Sequence, residues 1–375
     1  MLADERRKLD WIRAQLPSAS QQVFFDVAAC GPLPRCSVAT LARCLEAELT
    51  RGREALCCDR QFLDAIERWR QRLARWLGAR PRELLFTTGS DDAIATVLGG
   101  RCWREDEEII TSTHERADLL GTLSMLHAHT GVTIRRVPIS GDSVRDRALL
   151  AAAISPRTRL VALSHVSHLD GTLCDVAGLA SVCRAERVPM FVDGSQAVGA
   201  LPVRVDRLSV DLYAAPGHRW LCAPEGSGLL YVREGQCARW TERLPALARG
   251  PAPFRPLTRA WIAAFDLLEQ IGWSWIFERT AALTEQARAM LESLPGVRVV
   301  SPARSAPGVV SLHLDRPAED VQADLAAEGI VARALQGAPL LRISLGFYND
   351  DSDLQQLYAA LLRYARPPRR LPCAA

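Results

Sequence analysis

The chain reads as an α/β protein, a large domain on a mainly parallel sheet followed by a small α+β domain. Three observations predict this. From residue 84 onward short apolar runs alternate with helical stretches, the pattern of a sheet covered by helices on both faces. A proline-rich stretch near residues 247–261, LARGPAPFRPLTRAW, interrupts that pattern, as a boundary between compact units does. With 375 residues, 48% of them hydrophobic, the chain can also fill one full core and a smaller second one.

Taken in order, residues 1–22 form an N-terminal helical segment. Leu9, Trp11, Ile12 and Leu16 fall at near-helical spacing before a break at Pro17 and Ser18. The large domain is expected over 23–250. After the turn-like ACGPLPR, residues 36–49 and 59–77 read as helices, the second carrying Phe62, Ile66, Trp69, Leu73, Trp76 and Leu77 on a 3.6-residue period. That stripe reads as core or subunit interface rather than a ligand box. LLFTTG, EEIITS, VTIRRV, RLVALSHV, VPMFVDG, VDLYAA and GLLYV then read as strands. Ligands of such sheets lie at the carboxyl ends of the strands, where this chain carries its polar residues. No GxGxxG follows the first strand, so a dinucleotide is a weak reading. The small domain is expected over 251–375: a helical stretch at 261–293, strands VVSLHLD and LLRISLGF, helices AEDVQADLAAEG and DSDLQQLYAALLRYA, and a loosely held tail.

The formal charge is +3, with both signs interspersed along the chain, which argues for no nucleic acid and no membrane partner. MLADERRKLDWIRAQL lacks the apolar run of a signal peptide, and a cytoplasmic protein is expected. The 11 cysteines sit at irregular spacings with no CxxC pair, so neither a metal site nor a disulfide framework is expected. Basic charge comes almost entirely from arginine, and Lys8 is the one lysine.

Several residues have chemical readings beside plain ones. Asp193 ends the apolar strand of VPMFVDGSQAVG, with Gln196 three residues on. The pair could hold a protonated ring nitrogen and a ring oxygen, or Asp193 and Ser195 could cap backbone amides. TTGSDDAIATV resembles a turn feeding a helix N-terminus whose amides could take phosphate at Ser90, although Asp91 and Asp92 suit that terminus as anions and would repel one. Arg342, isolated on the apolar strand of LLRISLGFYND, needs a carboxylate, from a substrate or from an internal salt bridge.

Taken together, SHVSHLDGTLCDVAGLASVC, VDGSQAVGALPV and DLYAAPGHRWLCAPEGSGLLYV resemble the class V aminotransferase family, the pyridoxal phosphate (PLP) group that includes cysteine desulfurases, selenocysteine lyases and isopenicillin-epimerase-like enzymes. The resemblance runs from FFDVAACGPLP to LLRISLGFYND. It implies the PLP-dependent transferase fold type I, with a seven-stranded, mainly parallel sheet, and a homodimer with sites near the subunit interface. It also implies that Asp193 lies under the pyridine nitrogen, Gln196 meets the ring oxygen, His218 precedes the cofactor lysine, and Arg342 receives a substrate carboxylate.

Arg219 stands where the resemblance has the Schiff-base lysine, and a guanidinium forms no imine. Lys8, read as lying in a surface helix near the N-terminus, is a poor substitute. Glu115 falls where the family stacks a histidine on the ring, with His114 one residue earlier. Asp91 replaces a hydroxyl residue at the phosphate turn, and His168 stands where an asparagine is common. The expectation drawn from these departures is an enzyme repurposed on the old fold that uses no cofactor, acting on a small carboxylate-bearing or amino-acid-derived substrate. Arg342, Asp91 and Glu115 would bind that substrate, His168, His218 or His114 would act as acid or base, and Arg219, which could pair with Asp91, would stabilise negative charge. A non-catalytic partner protein is the first alternative. Noncovalently held PLP or its amine form, on Asp193, Gln196 and Ser90, is the second. A conventional desulfurase lacks a convincing nucleophile, since Cys222, after the HRW motif, reads as a buried thiol.

Overall fold

The computed structural model describes residues 3–53, 60–236 and 255–364. The proline-rich stretch before Arg255 and the tail beyond Tyr364 lie outside these. The chain divides into two compact units, Leu33–His168 with Leu173–Gln270, and Met1–Pro32 with Leu169–Thr172 and Ile271–Ala375.

In chain order the helices are α1 (Ala3–Gln15), α2 (Pro17–Gln21), α3 (Arg35–Arg51), α4 (Arg60–Leu77), α5 (Ser90–Gly99), α6 (Ala117–Thr130), α7 (Ser143–Ala153), α8 (Val176–Ala185), α9 (Val205–Leu208), α10 (Arg255–Ile271), α11 (Trp273–Glu292), α12 (Ala318–Ala327) and α13 (Asp351–Tyr364). The strands are β1 (Val23–Phe24), β2 (Leu84–Thr87), β3 (Glu108–Ser112), β4 (Thr133–Val137), β5 (Thr158–Ser164), β6 (Met190–Asp193), β7 (Leu212–Pro216), β8 (Gly228–Val232), β9 (Val297–Val299), β10 (Val309–Leu314), β11 (Ile330–Val331), β12 (Arg333–Ala334) and β13 (Leu341–Ser344).

The larger unit holds a seven-stranded sheet in the order β2-β8-β7-β6-β5-β3-β4. All pairings are parallel except the two made by β8. Every one of the seven apolar runs read as a strand is a strand of this sheet. The central strands β6 and β7 are buried along their whole length and β5 at every position but Arg159, which is why they read as continuous apolar runs rather than alternating ones. At the edge, β4 exposes Arg135 and Arg136, charges that discourage another chain from adding to the sheet. One core joins Ile94, Leu98 and Leu123 on the helices to Leu160, Phe191, Leu212 and Leu230 on the strands. The α4 stripe is core: Phe62, Ile66, Trp69, Leu73 and Leu77 are buried. The Trp69 ring stacks on Phe86 at 4.9 Å and meets Trp261 edge-on at 4.8 Å.

The smaller unit has an antiparallel sheet in the order β12-β13-β10-β9 and the parallel pair β1-β11. Its own core gathers Phe25, Leu283, Leu291, Val310, Leu325, Ile343 and Leu357. The expected single helix over 261–293 is two, α10 and α11. They part at Gly272, whose φ of 98° lies where a residue with a Cβ is strained.

Candidate active site

The polar residues singled out in the larger unit gather where β5, β6 and β7 end. β6 lies between β5 and β7, with Asp193 registered opposite Ser164 and Ala214. The apolar run Met190–Val192 carries Asp193 inward to 1% exposure. Its Oδ1 accepts the Ser195 amide at 2.9 Å, as the capping reading expected. Its Oδ2 lies 3.3 Å from Arg116 Nη1. A Cβ on the next residue, Gly194, would stand 2.1 Å from the Tyr213 ring, so only glycine lets the chain turn here.

Ser90 is the first residue of α5 and is 2% exposed. Behind it β8 runs so close that a Cβ on Gly228 would lie 2.6 Å from Gly89 Cα. Ser90 Oγ accepts from Arg116 Nη1 at 3.1 Å. Asp92 caps the turn by accepting the Thr88 amide at 2.9 Å. The more exposed Asp91 meets Arg116 Nη2 at 3.3 Å.

Arg116 ties these pieces together and was not anticipated. It is 7% exposed. Nη1 donates to Ser90 Oγ at 3.1 Å and Ser195 Oγ at 2.9 Å and lies 3.3 Å from Asp193, while Nη2 faces Asp91 and Asp118. Burial pulls its pKa down, but the charges of Asp193, Asp91 and Asp118 outweigh that and leave it raised. An arginine two residues before an aspartate at a helix start is the local signal for it. Its reach to β6 belongs to the fold and has no trace in nearby sequence.

Glu115, beside it, is 5% exposed, whereas His114 points outward among the exposed residues. The Glu115 carboxyl accepts from Ser112 Oγ at 2.6 Å, from the Ser164 amide at 3.1 Å and from Ser164 Oγ. Burial, helped by the Asp193 charge, raises its pKa against those hydrogen bonds. His165, also unanticipated, is buried with Nδ1 2.8 Å from Tyr213 Oη, and burial lowers its pKa to about 4. His168 is half-buried.

Gln196 Oε1 accepts from Trp220 Nε1 at 2.8 Å. Between them in sequence, His218 and Arg219 are half-buried after β7. His218 Nδ1 is buried with no hydrogen-bond partner among the described residues. Burial lowers the His218 pKa, and the charge of Arg219, then of Arg116, pushes the same way against Glu225 and Asp91. Cys222 is 1% exposed with φ 51°, a thiol packed into the turn. Among the described residues no cluster of histidine, cysteine or carboxylate could hold a metal ion, and no helix is long and apolar enough to cross a membrane.

The remaining candidate, Arg342, belongs to the smaller unit. On β13 it is 4% exposed, with Nη2 3.7 Å from Asp26 Oδ1, while Arg333 takes Asp26 Oδ2 at 2.6 Å. The chain's one lysine, Lys8, lies in the same unit, donating to the Ile271 carbonyl at 2.8 Å with its ammonium 4.2 Å from the Trp275 ring centroid.

The holding groups fit a phosphorylated pyridine. A buried carboxylate stands at a strand end, a buried hydroxyl at a helix start, and a buried imidazole nitrogen, that of His218, has no hydrogen-bond partner among the described residues.

Residues 23–357 match the family Aminotransferase class-V. A cysteine desulfurase of Cronobacter sakazakii is 28% identical, over 96% of this chain and 98% of its own. An isopenicillin N epimerase of Amycolatopsis lactamdurans is 29% identical, over 92% and 97%. Among solved structures, a mutant of C-DES with glycine covalently linked to its PLP cofactor superposes with a TM-score of 0.87 at 24% identity, over 94% of this chain and 99% of that one. The cysteine desulfurase CsdA of Escherichia coli superposes with a TM-score of 0.81 at 23% identity, over 95% and 98%. The sheet, the smaller α+β unit and these superpositions bear out the expected fold.

The same findings overturn the expected activity. A repurposed enzyme that uses no cofactor, a non-catalytic partner protein, and a noncovalent holder as a special case were all inferred from single substitutions, chiefly Arg219. Likeness to cysteine desulfurases over nearly the whole of both chains outweighs that inference. The family match extends from the first strand to the last helix, and the chain belongs to the class-V aminotransferase family.

Proposed function

We propose that this chain is a PLP-dependent enzyme that acts on a small amino acid of the cysteine type, in the manner of the cysteine desulfurases it resembles. The observation that carries the reading is Asp193, a carboxylate buried to 1% exposure at the end of the central strand, in a chain that resembles such enzymes along almost its full length. A buried carboxylate keeps a ring nitrogen protonated.

When bound, PLP supplies an aldehyde that captures a primary amine and a ring that draws electrons from the bonds next to it. The chain's own residues do the rest. Asp193 would hold the ring nitrogen, Ser90 and the amides at the start of α5 would hold the phosphate, and Gln196 would meet the ring oxygen. Arg342, in the smaller unit, is the residue to which the resemblance gives the substrate carboxylate. His218, kept neutral by burial and by Arg219, accepts and returns the proton at the substrate carbon. Asp91 and His168 line the approach to the site in this reading.

Within the family the chain is divergent at residue 219, where Arg219 occupies the place the resemblance gives to a lysine. The guanidinium brings a fixed positive charge there. We also assign a homodimer, supported by the outward apolar side chains of α3, where Val38, Leu45 and Leu49 are 51%, 52% and 80% exposed.

The test is incubation of the PLP-loaded protein with L-cysteine and a thiol reductant. Release of alanine with sulfide, the added thiol taking the sulfur and supplying the two electrons, is the expected result. Pyruvate with ammonia in place of alanine would make it a C–S lyase, and no product from cysteine or cystine, despite bound PLP, would overturn the reading.

A further inference from the structure

We propose that Arg116 is the phosphate-recognition residue of this site, the cation that lets a turn flanked by aspartates accept a phosphate ester; the inference rests on the PLP reading above. Asp91 and Asp118 lie against the mouth of the turn that starts α5, and both would repel a phosphate dianion. Arg116 touches both, and its other nitrogen donates to Ser90 Oγ at 3.1 Å, inside that turn.

Its position opposes local preference. Arg116 is the N-cap residue of α6, where the helix dipole disfavours a cation, and its side chain is 9% exposed, which disfavours an ion further. A residue placed there only to start a helix would be a serine or an aspartate. What holds the guanidinium is three carboxylates: Asp193, Asp91 and Asp118.

The same geometry says how the site changes on loading. Asp193 Oδ2 now faces Arg116 Nη1 at 3.3 Å. A protonated ring nitrogen on this oxygen would compete with Nη1, which would keep its bonds to Ser90 Oγ at 3.1 Å and Ser195 Oγ at 2.9 Å.

The full chain would be titrated with PLP, with pyridoxal, which lacks the phosphate, and with inorganic phosphate as competitor, following tryptophan fluorescence and the cofactor absorbance. Wild type is expected to prefer PLP. R116Q should lose about tenfold or more of that preference, as expected for one charge-assisted hydrogen bond to the phosphate, while its pyridoxal affinity holds or rises. R116K should keep part of the preference. D91N changes a 65% exposed side chain and so reports even if R116Q fails to fold; it should increase the preference by removing the competing anion. An unchanged PLP-to-pyridoxal ratio in R116Q, or an unchanged or reduced one in D91N, overturns the assignment of Arg116. Wild type that binds neither PLP nor phosphate overturns the PLP reading itself.

Discussion

The buried imidazole of His165 shows how much one residue's surroundings decide. It sits where β5 ends, its ring edge-on to Tyr213 and its Nδ1 on the Tyr213 hydroxyl. Desolvation lowers its pKa from 6.5 to about 4. Between those two values the unfolded chain binds a proton that the folded chain refuses, so acid favours unfolding. The difference is on the order of 3 kcal/mol at full extent. Melting temperatures measured from pH 7 down to pH 4 should therefore fall, and H165Q should show a shallower fall from a lower starting point. Equal slopes for the two proteins would mean that His165 is not buried neutral. Nothing in SHVSHLDG singles out His165, because its hydrogen-bond partner Tyr213 lies 48 positions away. Asp193, by contrast, was legible, since a carboxylate ending an apolar strand is visible in six letters.

At the scale of elements, periodicity and composition translated well. The α4 stripe was read from spacing as core or interface, and its burial against β2 and α10 places it in the core. The Trp69 ring stacks on Phe86 of β2 and meets Trp261 of α10, so this side chain clamps helix to sheet. W69A should cost about 3–5 kcal/mol, read as a lower urea midpoint at an unchanged slope. A loss below about 1 kcal/mol would mean that the cluster collapses to fill the hole. What could not be read at this scale was the register of α6 relative to the sheet. The choice between His114 and Glu115 as the inward residue depends on where α6 begins, and helix starts are uncertain by a residue or two from sequence. The structure turns Glu115 inward onto Ser112 and Ser164 and leaves His114 exposed.

At the scale of the whole molecule, substitutions at a few site positions proved a poor guide to activity. Arg219 and Asp91 are local departures, and their weight was set as though the rest of the site stayed fixed. Arg116 shows that it did not, because the guanidinium on Asp91 answers the charge that made phosphate binding look unfavourable. The larger unit carries every residue assigned to the ring and phosphate, and it has its own core; the smaller unit has another. Ligand that binds only the folded larger unit stabilises that unit by mass action, by about 2.7 kcal/mol at a free concentration roughly 100 times Kd. Calorimetry with rising PLP should then move the transition that melts the seven-stranded sheet upward with the logarithm of concentration. Pyridoxal at the same concentration should move it less, because it lacks the phosphate that Ser90 and the amides of α5 would hold. A melting curve indifferent to PLP up to millimolar concentration would show that these groups, however well placed, do not form the cofactor site.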